Sequence, residues 1–118
     1  MKKGNFMEKE ILQLSYKREG TSLRYWLPKE LDHHIAQKIC REIDSLIDAY
    51  RIKELILDFS WTEFMDSSGI GVVIGRQKTM KFHKGMLYVE HLGMRMETMF
   101  KSAGLFQIVK VKGEASCR

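Results

Sequence analysis

Two stretches near the N-terminus alternate apolar and polar residues with period two. Leu12, Leu14 and Tyr16 are interleaved with Gln13 and Ser15, and Leu23, Tyr25 and Leu27 with Arg24 and Trp26. Arg18-Glu19-Gly20-Thr21 separates them, which predicts a β-hairpin with one buried face. From Asp32 the period becomes helical: Ile35, Ile39, Ile43, Leu46, Ile47 and Tyr50 form a stripe, with Asp32 placed as the cap. Leu55 to Phe59 is an unbroken apolar run apart from Asp58, the signature of a strand buried on both faces. Phe64 to Gly69 leads into a second helix with Ile70, Val73 and Ile74 inward. Gly71 and Gly75 share one side of it, an arrangement expected to let its backbone approach the sheet. Met86 to Val89 reads as another buried strand, Met96, Met99, Phe100 and Ala103 as a short helix ended by Gly104, and Gln107 to Val111 as a last strand. The predicted order is β-β-α-β-α-β-α-β: an α/β fold with a mixed, mostly parallel sheet, an N-terminal antiparallel hairpin strand and helices packed on it.

The 118 residues fit one domain, and 44% hydrophobic content suffices for a core. The longest uncharged run, Ser67 to Gly75, is far too short to span a bilayer, so no membrane segment is expected. Glu8, Lys9 and Glu10 interrupt the N-terminus, which argues against a secretory signal. The two cysteines, Cys40 in a helical pattern and Cys117 near the C-terminus, do not form a disulfide framework, and a cytoplasmic setting is expected. The net charge of +5 is shared between both halves, without the clustered basic and aromatic residues of a nucleic-acid footprint.

Catalytic templates are missing: no glycine-rich Walker loop, no C-x-x-C, no H-E-x-x-H and no G-x-S-x-G. His33 and His34 are adjacent and point about 100° apart on a helix, poor geometry for a shared metal. His83 and His91 lie near strand ends with no Cys or His at ligand spacing. Neither a metal nor a cofactor is expected. What remains is Asp66-Ser67-Ser68-Gly69, at a strand-to-helix turn. Capping accounts for Asp66 and both serines on physical grounds alone. The same geometry also tolerates a phosphate, because the free N–H groups and the positive end of the helix dipole face it.

Glu30-Leu31-Asp32-His33-His34, then Phe64 to Arg76, then Met96-x-x-Met99-Phe100-x-x-x-Gly104-Leu105-Phe106 closely resemble the anti-sigma factor antagonists of the sporulation type, built on a STAS domain. The resemblance covers residues 10–112, leaving residues 1–9 as a loose extension and 113–118 as a short tail. It implies that Ser67 is a phosphoacceptor, and that Asp32, His33, His34, Asp66, Ser68 and Gly69 form the partner-binding surface around it. Only position in the family motif favours Ser67 over Ser68. The implied partners are an anti-sigma factor that is also a serine kinase, which releases a sigma factor when bound, and a serine phosphatase that resets the switch. Neither nucleic acid nor membrane is an implied partner. The protein is then not an enzyme.

Two features depart from the family pattern: Tyr25 to Glu30 replaces a glycine turn, and Gly113 to Arg118 is too short for the closing helix that the resemblance implies. Arg76, Lys78, Lys81 and Lys84 lie in a stretch without acids and either complement the end of the second helix or form a docking surface. The alternative within the fold is a STAS domain of another pathway, a general stress antagonist or a transporter-associated regulator. A small nucleic-acid binder and a serine hydrolase are the readings outside it.

Overall fold

A computed structural model describes residues 15–113. β1 (Tyr16–Glu19) and β2 (Ser22–Trp26) form the expected antiparallel hairpin, with Tyr16 opposite Tyr25 and Glu19 opposite Ser22. Its turn is tighter than the sequence pattern suggests. Only Gly20 and Thr21 separate the strands, and Gly20 takes a left-handed φ of 63°, which costs glycine nothing. Arg18 and Glu19 therefore belong to β1. Leu12, Leu14, the extension over residues 1–9 and the tail beyond Gly113, with Cys117, lie outside the described residues.

β2 runs parallel to β4 (Glu54–Asp58), β4 to β6 (Met86–Glu90), and β6 to β7 (Lys110–Val111), giving the sheet order β1-β2-β4-β6-β7. β4 is buried on both faces, from Leu55 through Asp58. β6 is not: Leu87 and Val89 are buried while Met86 is exposed, so the strand alternates. The last strand is also shorter than expected. Leu105–Gln107 form a 3-10 turn that buries Leu105, and pairing with β6 begins only at Lys110.

The helices α1 (His33–Tyr50), α2 (Ser67–Phe82) and α3 (Met94–Ser102) cover one face of the sheet. Leu23, Leu55, Leu57 and Val89 meet Ile39, Ile43, Ile47, Val73 and Met80 there, and Phe59 meets Phe100 edge-on at 5.4 Å. Gly104, with φ 70°, ends α3 as expected. Three details of the helical stripes differ from the sequence pattern. Tyr50 is 44% exposed, because it closes α1 beyond the sheet and lies under the Arg18 guanidinium. Val72 and Val73 are buried on α2, whereas Ile70 and Ile74 are only partly covered. A side-chain carbon added at Gly71 or Gly75 would meet nothing, so neither is a close approach to the sheet. Arg76 is also not a surface cation. It is 8% exposed, with Nε 2.9 Å from Asp44 Oδ1 on α1.

Two further strands, β3 (Glu30–Leu31) and β5 (Phe64–Met65), pair in parallel as a separate small sheet. They precede α1 and α2, and so tie the starts of these helices together.

Candidate functional site

β3 and β5 are each followed directly by an aspartate that caps the next helix. Asp32 Oδ1 accepts the N–H groups of His34 at 3.0 Å and Ile35 at 3.2 Å, and Asp66 Oδ1 accepts that of Ser68 at 2.8 Å. Both caps have extended backbone, the conformation in which a short carboxylate reaches back over the first turn. Pairing Leu31 with Met65 sets the two caps side by side, and the Asp66 N–H donates to the Leu31 carbonyl at 3.4 Å. Two helix N-termini thus converge at the carboxyl end of the parallel strands, where open α/β sheets present their binding surfaces.

Ser67 is the first residue of α2 and is exposed, while Ser68 is half-buried with its N–H held by Asp66. Ser68 also lines an open groove of about 540 Å³ between α1 and α2, together with His33, Cys40, Arg41, Gly71 and Val72. His33 and His34 are both exposed, with ring centroids 4.2 Å apart. Asp32, His33, Asp66, Ser67 and Ser68 therefore meet at one end of the molecule. Gly69 does not share that surface. It is buried, and an added side-chain carbon would lie 2.5 Å from Met65 Sδ and 3.2 Å from Leu31 Cδ2. Gly69, not Gly71 or Gly75, is the glycine that lets α2 start directly against the small sheet.

Phe64 opens the motif, but its exposure and the other aromatic and charged residues nearby were not legible in it. Phe64 is 47% exposed, three residues before Ser67, and Trp61 is 50% exposed and stacked on Trp26 at 6.0 Å. Arg24 pairs with both Asp58 and Glu90, and His91 Nδ1 lies 3.1 Å from Asp58 Oδ2. Burial would raise the Asp58 pKa, but hydrogen bonds from the Ser60 hydroxyl and N–H, with His91, outweigh it and hold the carboxyl below its ordinary range. Asp58, Glu90 and His91 bring donor atoms within 4.8 Å of one another, a grouping that spacing along the chain did not suggest. Arg24 already supplies a cation to both carboxylates, so the cluster is an ion-pair and hydrogen-bond network. The one local signal for it is Asp58 itself, an acid ending a buried strand.

Among the described residues no helix is long and apolar enough to cross a membrane. The STAS domain family model matches residues 14–115. The chain is 29% identical over 100 residues to an anti-sigma F factor antagonist of Paenibacillus polymyxa, covering 85% of this chain and 86% of that protein. The fold matches the anti-sigma factor antagonist SpoIIAA in its unphosphorylated form with a TM-score of 0.74 and 25% identity, over 86% of this chain and 90% of the other. It also matches the Bacillus cell fate determinant SpoIIAA in the phosphorylated form, with a TM-score of 0.68 and 26% identity, over 86% and 93% of the two chains. With its hairpin, parallel sheet and paired helix starts in that order, the chain belongs to the STAS domain family.

Proposed function

We propose that the protein is an anti-sigma factor antagonist switched by phosphorylation of Ser67. In the unphosphorylated state the surface around Asp32, His33, His34, Asp66, Ser67 and Ser68 binds an anti-sigma factor that is also a serine kinase, and a sigma factor is released. The kinase phosphorylates Ser67, the complex separates, and a serine phosphatase restores the first state. The protein is substrate and ligand in turn, with no catalytic residue, metal or cofactor of its own.

The observation that carries this reading is the position of Ser67, exposed at the first turn of a helix whose cap is already supplied by Asp66. A phosphate there meets the positive end of the helix dipole, so the fold survives the modification while the surface gains about −1.5 to −2 charges. Ser68 is less available, being half-buried toward the groove. The likeness to antagonists, one of them solved in phosphorylated and unphosphorylated forms, supports the same reading.

Titration of the anti-sigma kinase with wild type, Ser67→Ala and Ser67→Asp tests it. Wild type and Ser67→Ala are expected to bind alike. One added negative charge about 5 Å from a partner carboxylate costs roughly 3 kcal/mol at an effective dielectric of 20, so Ser67→Asp is expected to bind about a hundredfold more weakly before screening. Equal binding by Ser67→Asp would refute the proposal.

A further inference from the structure

The end of the molecule opposite Ser67 carries a second surface. α2 has 16 residues and is about 24 Å long, so its two ends lie on opposite sides of the domain. The register Ser22–Glu54–Met86 gathers three loops at this end: the hairpin turn, the α1–β4 connection and the α2–β6 connection. They are bonded together, with the Lys53 N–H donating to the Thr21 carbonyl at 2.8 Å and Lys53 Nζ to the His83 carbonyl at 2.7 Å. Arg18, Arg51, Lys53, Lys81 and Lys84 are all exposed there. Of the acids at this end, Glu54 is paired with Lys112 at 2.6 Å and Glu19 with Lys17 at 3.6 Å, while Asp48 in the last turn of α1 is exposed, so five cations face three acids. Phe82 lies between Lys81 and Lys84 along the chain, 83% exposed with its ring edge-on to His83 at 5.4 Å, and Met86 is 41% and Tyr50 44% exposed.

Complementing the helix dipoles accounts for cations at the ends of α1 and α2. It does not account for a phenylalanine left in water among them. Nor does it explain Arg51 and Lys84, which adopt left-handed φ values of 53° and 59° at positions after helices where glycine is the unstrained choice. We infer that Tyr50, Arg51, Lys53, Lys81, Phe82 and Lys84 form a peripheral docking surface for an anionic phospholipid bilayer. Phe82 enters the headgroup–acyl boundary, and the cations contact the phosphates around it. A projecting apolar side chain flanked by Lys81 and Lys84 suits a yielding bilayer; an acidic protein would need a matching pocket for it. The surface is independent of the Ser67 switch, and both can be occupied at once.

Cosedimentation with vesicles of phosphatidylglycerol and phosphatidylcholine tests this, with phosphatidylcholine alone as control. Binding is expected to the anionic vesicles only and to weaken with salt. Lys81→Glu with Lys84→Glu is expected to abolish it, at about fivefold or more for each cation lost. Phe82→Ala is expected to weaken it several-fold. Circular dichroism of each variant checks that the fold is kept. Four results would overturn the inference: no binding to anionic vesicles, binding indifferent to the charge reversals, binding indifferent to Phe82→Ala, or capture of an acidic peptide or duplex DNA through these residues while vesicles are ignored.

Discussion

Asp32 and Asp66 are related as a pair: each directly follows one of two adjacent parallel strands, and each caps the helix that comes next. The relation makes the two helix starts one unit. A partner that grips the start of α2 also meets the start of α1, and a charge added at Ser67 is felt over the whole surface.

The Asp66 cap is expected to stabilise the fold separately from any role in binding. Asp66→Ala should lower stability by about 1 kcal/mol, and Asp66→Asn, an equally good cap, by much less. Urea denaturation of the three proteins checks this. Equal losses for Ala and Asn would mean that the carboxylate charge, not the cap bond, is what counts.

Gly69 and Gly71, two residues apart, should respond in opposite ways to alanine. At Gly69 the new methyl collides with Met65 and Leu31, and overpacking of this kind costs about 1–3 kcal/mol. At Gly71 it meets nothing and gains up to about 1 kcal/mol of helix propensity. Thermal melts of the two variants decide it, and stabilisation of both would place α2 farther from the small sheet than described.

Asp58 is expected to make the fold acid-sensitive. A carboxyl whose pKa is lower in the folded than in the unfolded chain stabilises above the unfolded pKa, and that contribution disappears as pH falls through the folded pKa. Asp58→Asn should therefore be about 1–3 kcal/mol less stable than wild type at neutral pH, with the gap closing below about pH 4. Denaturation at both pH values measures the gap. A gap that stays constant would show that Asp58 stabilises through neutral hydrogen bonding alone.

Much of this fold follows from local rules. The 3.6-residue stripe from Ile35 to Ile47, the unbroken run at Leu55 to Leu57, and Asp32 and Asp66 at the helix starts each carry their own signal. β3 and β5 carry none, because two residues are too few to show a period. Nor can spacing tell which glycine of α2 faces a neighbour. That depends on the angle at which Met65 and Leu31 meet the helix, which puts Gly69 inside and leaves Gly71 on the groove. Arg76 looked like its exposed neighbours along the chain, and only the packing of α1 on α2 brings Asp44 to it. The network of Arg24, Asp58, Glu90 and His91 draws on three strands, and parallel register alone joins them. At the candidate site, the motif carried Phe64, Ser67 and the capped neighbours, while exposed Trp61 had no pattern to announce it.

The phosphoacceptor assignment is tested most directly by intact-mass measurement and phosphosite mapping after incubation with ATP and the anti-sigma kinase, with Ser67→Ala alongside. The account predicts a single phosphate, on Ser67, in wild type and none in the variant. A phosphate on Ser68, or none at all with a kinase shown to be active, would contradict it.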